Sequence, residues 1–257
     1  MNIQKIEEQL RSYFASRGVS LPDAFPCPEP QHSGEKRELK SYFDHTQLKQ
    51  AAGDGEYEKL FDEALEYEPF SVCIPSSRLP QAARRLKDSP VKLCTVVGFP
   101  WGYDATEAKV AETIQAINEG AHEIDMVIAL GFLKDGDYLY VYEDIRKVVQ
   151  AAGGKLVKVI LETSELSDEE IVQASFIAGW AGSWFIKTST GFASGGASVD
   201  AVKLMRQVGG SILGVKASGG IRNREFTLEL IEAGADRIGA SATPAILTGA
   251  DAGGSGY

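Results

Sequence analysis

From residue 39 onward, short runs with strand character alternate with amphipathic helical segments, and this alternation constrains the fold more tightly than anything else in the chain. It predicts strands at 39–44, 70–74, 92–98, 121–127, 156–161, 183–187, 212–216 and 236–239. Helical segments are predicted near 56–67, 78–88, 105–119, 138–151, 168–181, 198–208 and 223–233, with a short one after 241. Such alternation implies parallel strands joined by crossover helices. Eight units in about 210 residues match the number and size of a (β/α)8 TIM barrel, the predicted α/β fold class. An open doubly wound sheet is the alternative, but the first strand–helix turn lacks its G-x-G-x-x-G fingerprint. Residues 119–125 recur loosely at 233–239 and more weakly at 178–184, each with a glycine between a helix and the next strand, as a helix C-cap requires.

Two segments fall outside the repeat. Residues 3 to about 17 place Ile3, Ile6, Leu10, Tyr13 and Phe14 on one helical face, with Asn2 as N-cap. Pro22, Pro26, Pro28 and Pro30 then rule out a regular element. A single helix cannot bury a core of its own, so residues 1–38 read as a helical arm packed on a barrel at 39–248. Residues 249–257, rich in Gly and Ala and ending in Tyr257, read as a flexible tail.

A hydrophobic content of 44% with 24% charged residues is ordinary for a soluble globular chain. The net charge of −10 argues against nucleic acid or an anionic membrane as partner, since both need a positive footprint. The three cysteines, Cys27, Cys73 and Cys94, are odd in number and lack metal-ligand spacing, so free thiols are expected, with Cys73 and Cys94 in the core. No basic-then-apolar leader is present, and no apolar run approaches the ~18 residues a membrane span needs. A cytoplasmic protein is expected. His32, His45 and His122 are dispersed, with no His-x-x-x-His or Cys-x-x-Cys pair, so neither metal nor cofactor is expected.

In such a barrel, chemistry sits at the C-terminal ends of the strands. Five of the eight predicted strands carry ionisable groups toward that end: Asp44-His45-Thr46, Asp125, Lys158 followed by Glu162, Lys187 and Lys216. Each taken singly is compatible with a structural ion pair or a snorkelling side chain. Taken together they are hard to attribute to packing. Lys187 and Lys216 end neighbouring strands, ~4.8 Å apart in a sheet. Amines ~6 Å apart at an effective dielectric of ~20 repel by roughly 2.8 kcal/mol, enough to lower one amine by about two pKa units. A lysine so placed is partly neutral near pH 7 and able to attack a carbonyl to form a Schiff base. Asp125 would offset the remaining charge and shuttle protons.

Small residues follow the last three strands: Thr190-Gly191, Ser218-Gly219-Gly220 and Gly239-Ala240-Ser241, the last at the start of a short helix. Phosphate sites in these barrels are built from the loops after strands 7 and 8, where glycine lets backbone N–H groups approach closely. Arg222 would add a cation. Read singly, these runs are equally tight strand–helix turns.

The blocks Asp44–Thr46, Thr95–Gly102, Glu123–Val127, Phe185–Gly191 and Val215–Arg222 resemble deoxyribose-phosphate aldolase, in that family's order and over roughly residues 39–248. The resemblance implies a class I aldolase cleaving 2-deoxy-D-ribose 5-phosphate to acetaldehyde and D-glyceraldehyde 3-phosphate. It implies Lys187 as the Schiff-base amine, Lys216 as the residue that perturbs it, and Asp125 acting with a bound water in proton transfer. Asp44 and Thr46 would line the sugar site, Lys158 would be an interior charge, and Tyr257 would dip into the site. Two positions depart from the family: Phe192 stands where some members have a phosphate-binding lysine, and Ala242 where some have a second serine. Alternatives kept open are another Schiff-base barrel acting on a different sugar phosphate and a catalytically inactive phosphosugar-binding barrel. A homodimer is entertained as the assembly, although no residue pattern specifies it.

Overall fold

A computed structural model describes residues 1–250 of the chain. Eight parallel strands close into a barrel in sequence order: β1 (Phe43–Thr46), β2 (Ser71–Ile74), β3 (Lys92–Val97), β4 (Glu123–Val127), β5 (Leu156–Ile160), β6 (Phe185–Lys187), β7 (Gly214–Ser218) and β8 (Arg237–Ala240). The strands are buried on both faces, as helices outside and side chains within require. The helices are α1 (Ile3–Ala15), α2 (Asp54–Tyr67), α3 (Leu79–Arg85), α4 (Thr106–Asn118), α5 (Leu130–Lys134), α6 (Tyr138–Ala151), α7 (Asp168–Trp180), α8 (Val199–Gly209), α9 (Arg224–Glu232) and α10 (Thr243–Thr248). The (β/α)8 barrel read from the sequence is the observed fold.

Boundaries differ where local hydrogen bonding overrides the strand pattern. Residues 39–42 form a 3-10 turn, held by Ser41 bonds to the Glu38 carbonyl, so β1 begins only at Phe43. Ile212 and Leu213 donate to Gly209 O in the turn after α8, which delays β7 to Gly214. Asp44 and Lys216, read as strand ends, are therefore the second of four and third of five strand residues. Gly239 and Ala240 lie within β8 rather than after it. The short α5 was not anticipated.

The amphipathic face of α1 packs on α7 and α6. Ile6, Leu10 and Phe14 are buried, and Phe14 meets Tyr142 edge-on at 5.3 Å. Each fully buried side chain of this kind contributes roughly 1.5–3 kcal/mol. Asn2 caps the helix by accepting from Lys5 N. Farther along, Phe25 fits over Gly179, where a Cβ would lie 2.5 Å from its ring. His32 bonds Asp236 at 2.6 Å at the start of β8. Residues from α1, Phe25 and His32 thus pack on the outside of the barrel.

Candidate active site

The barrel interior is charged. Asp125 projects from the middle of β4, flanked in register by Val96 on β3 and Lys158 on β5. Its carboxylate accepts four hydrogen bonds: Lys158 Nζ at 2.7 Å and Cys94 Sγ at 3.2 Å on Oδ1, Lys187 Nζ at 2.9 Å and Lys216 Nζ at 2.7 Å on Oδ2. Burial alone would push this carboxyl up, but Lys158, Lys187 and Lys216 outweigh it and hold it well below the usual carboxylate range. Asp125 is ionised in the resting site.

Lys187 and Lys216 stand opposite each other in the β6–β7 register, as read from the sequence. The repulsion expected between the amines is offset by Asp125, the counter-charge read from the sequence: its Oδ2 accepts from both, and Asp44 Oδ2 also accepts from Lys216 at 2.5 Å. Burial works to strip the Lys216 proton, yet Asp125 and Asp44 raise its pKa far above the usual amine value. These carboxylates hold Lys216 as an ammonium ion. Lys158 is likewise held protonated, against burial, by Asp125, Cys94, Glu123 and Asp44.

One layer below lie two residues that strand-end reasoning missed. Glu123 and Arg237 occupy the first positions of β4 and β8. Glu123 accepts from Lys158 Nζ at 2.6 Å, while Arg237 donates to Asp44 Oδ1 at 2.7 Å and to Glu123 Oε2 at 3.2 Å. The Arg237 guanidinium sits 3.6 Å from the Phe70 ring centroid. The period-2 rule carried the signal, since Glu123 shares a face with Asp125 and Arg237 with Gly239.

Of the three lysines around Asp125, Lys187 alone lines the open cleft at the barrel mouth. The cleft spans about 560 Å³ including its open side, and Thr46, Thr190, Gly191, Gly219, Gly220, Arg222, Gly239 and Ser241 share its wall. These predicted binding residues are brought together. Asp44 and Lys158 are not among them: both are fully buried beneath the cleft. Asp44 supports Lys216, and Lys158 supports Asp125. Tyr257 lies outside the described residues.

Two glycines have steric reasons to be there. Gly219 has φ +90°, and a Cβ on it would lie 3.0 Å from Gly196 Cα. A Cβ on Gly239 would lie 3.1 Å from Lys216 Cε, so glycine gives that lysine its path toward Asp125. Glu162 braces the cradle by accepting from Thr190 N and Oγ1, and burial pushes its carboxyl up. Phe192 carries no charge into the cradle; its ring meets Phe99 edge-on at 5.4 Å. Ala242 precedes α10 without a side-chain cap.

Among the described residues, two groups come within metal-ligating reach: Cys73, Cys94 and Asp125, and Asp44, Cys94 and Glu123. Their carboxylates already accept from lysine or arginine on nearly every oxygen, so an incoming cation would have to displace buried ammonium groups. Cys73 and Cys94 are buried and reduced, neighbours in the β2–β3 register. No helix among the described residues is long and apolar enough to cross a membrane.

A closed barrel with a lysine opening onto a glycine-rich cleft at its mouth suits the class of carbon–carbon lyases. Within it, the chain belongs to the DeoC/LacD aldolase family, whose model matches residues 39–254. A relative from Enterococcus faecalis named deoxyribose-phosphate aldolase is 52% identical over 221 residues, covering 86% of this chain and all of that one. One of the same name from Aciduliprofundum boonei is 50% identical over 83% of this chain and 97% of its own. A solved structure from Coccidioides immitis superposes with TM-score 0.82 at 35% identity, over 96% of this chain and 97% of that one. Another, a tetrameric deoxyribose phosphate aldolase from Aeropyrum pernix, gives 0.77 at 31% identity over 82% and 89%.

Proposed function

We propose that the protein is a class I aldolase that reversibly cleaves 2-deoxy-D-ribose 5-phosphate to D-glyceraldehyde 3-phosphate and acetaldehyde. The observation that carries this reading is the division of labour among the core lysines: Lys158 and Lys216 are sealed in and held as ammonium ions, while Lys187 opens onto the cleft. A nucleophilic amine must reach its substrate, so Lys187 is the one that reacts.

The neutral Lys187 amine adds to the C1 carbonyl of the open-chain sugar, and loss of water with uptake of one proton from solvent in the cleft leaves a protonated imine. Cleavage of the C2–C3 bond sends its electron pair into that imine, giving a neutral enamine, while the C3 hydroxyl surrenders its proton. Asp125 fits the proton acceptor for an electrostatic reason. It is a weak base while three cations face it, and it gains basicity as the nitrogen beside it becomes neutral. Returning that proton to the enamine carbon, followed by hydrolysis, frees acetaldehyde, the Lys187 amine and the proton taken up when the imine formed. Thr46 borders the sugar, with Asp44 acting from below through Lys216. The phosphate falls to Arg222 and the backbone N–H groups near Gly191, Gly219, Gly220, Gly239 and Ser241.

Reductive trapping with borohydride and acetaldehyde, followed by peptide mapping, tests this directly. An adduct on Lys187 is expected; an adduct elsewhere, or none, overturns the assignment. A panel of sugar phosphates separates deoxyribose phosphate from other substrates. A reducing cytoplasm suits the free thiols. A homo-oligomer, at least a dimer, is proposed on the strength of the Aeropyrum relative's assembly, and sedimentation of the full chain decides it.

A further inference from the structure

Six charged side chains inside the barrel close on themselves. Asp44 accepts from Lys216 at 2.5 Å, and Lys216 also donates to Asp125 at 2.7 Å. Asp125 accepts from Lys158 at 2.7 Å, and Lys158 also donates to Glu123 at 2.6 Å. Glu123 accepts from Arg237 at 3.2 Å, and Arg237 returns to Asp44 at 2.7 Å. Signs alternate at every step, with three carboxylates against three cations. None of the six is more than 5% exposed, so water screens them little. Lys187 joins this ring from outside, at Asp125 only.

We propose that Glu123 and Arg237 are positioning residues for the amine chemistry: with Lys158 they complete a neutral ring around Asp125 and Lys216, leaving Lys187 as the surplus cation of the cluster and its neutral amine as the charge-balanced state. The inference rests on the reading of Lys187 as the Schiff-base amine. The ring lets the protein keep Lys216 and Asp125 both ionised beside Lys187 without the core acquiring net charge. The groups gathered around Lys187 are Asp125 from β4, Lys216 from β7, Lys158 from β5, Glu162 after β5, and the Cys73 and Cys94 thiols from β2 and β3. Of these groups Glu123 touches only Lys158 and Arg237 touches none, so opposite shifts from the two substitutions report the charge of the ring.

The test is the pH dependence of cyanoborohydride trapping of acetaldehyde on Lys187, read by peptide mass in the full chain. Glu123→Gln leaves the ring one positive charge in excess and should lower the midpoint of trapping. Arg237→Gln leaves it one negative charge in excess and should raise the midpoint. For a charge ~10 Å away at an effective dielectric of ~20, each shift is about one pH unit. The double variant is neutral again, and its midpoint should return to that of the native chain. Should Arg237→Gln not fold, Glu123→Gln and the charge-keeping Arg237→Lys, whose midpoint should not move, carry the test. Shifts of the same sign, or unmoved midpoints in folded Glu123→Gln, overturn the ring while leaving the aldolase reading intact. Absence of any Lys187 adduct in the native chain overturns both.

Discussion

Lys187 and Lys216 donate to one and the same oxygen, Asp125 Oδ2, at 2.9 and 2.7 Å. A pair of lysines that would repel in isolation is thereby joined through a carboxylate, and only one of the pair opens to the cleft. The consequences for catalysis and stability are measurable.

Replacing Lys216 by Met removes a cation from both Asp44 and Asp125 while leaving Lys187 in place. Turnover should fall by roughly 10²–10⁴, the range of a proton-transfer contribution, with KM changed only a few-fold. Steady-state kinetics that showed the loss in KM instead would assign Lys216 to substrate binding.

Gly239→Ala tests whether backbone space near the cradle sets the chemistry. The added Cβ would press on Lys216 Cε, 3.1 Å away, and on Ser218 Cβ at 3.0 Å. We expect kcat to drop at least ten-fold, more than the modest loss of Tm would explain. Native kcat in a variant whose structure shows Lys216 undisturbed would refute the argument.

Arg222 is an exposed cation on the cleft wall. Hydrogen bonds to charged groups are worth about 1.5–3 kcal/mol, so Arg222→Ala should raise KM for a phosphorylated substrate roughly 10- to 100-fold. The non-phosphorylated sugar should be unaffected, and equal losses for both would remove Arg222 from phosphate binding.

Stability should depend on pH with a defined sign. Asp44 and Asp125 have folded-state pKa values depressed below the unfolded ~3.9, so their contribution is present above that value and is lost as pH falls. Lys158 and Lys216 are raised above ~10.4, so their contribution is present below that value and is lost as pH rises toward the folded one. Glu162, pushed up chiefly by burial, works in the opposite sense to the aspartates and tilts the curve slightly downward above ~4.3. Urea unfolding across pH should give a broad maximum between about 5 and 9. A maximum below pH 4 would contradict these charge assignments.

Outside the barrel, Lys109 Nζ donates to Asp144 at 2.7 Å and to Val127 O at 3.1 Å, with both side chains fully buried. Breaking such a pair leaves a buried charge and costs about 3–5 kcal/mol. Asp144→Ala should therefore lose several degrees in Tm without altering Lys187 trapping below its melting point. A change in trapping would mean that this pair reaches the site.

Much of this was legible in the residues themselves. The eightfold alternation determined the barrel, because strand and helix periodicities are local and their count is a property of the chain alone. The same alternation placed Lys187 opposite Lys216 and collected the cradle from Thr190, Gly219, Gly220 and Ser241. What only the tertiary structure decided is depth and company. An error of four residues at the start of β1, or of two at the start of β7, separates the mouth from the sealed interior, and turn hydrogen bonds at Ser41 and Gly209 set those starts. Glu123 and Arg237 are 114 residues apart, and strands 4 and 8 meet only across the closed barrel. Electrostatic partnership depends on distance in space at low dielectric. The sequence could therefore name the lysine pair and Asp125 as its counter-charge, but not the single carboxylate oxygen on which both amines converge.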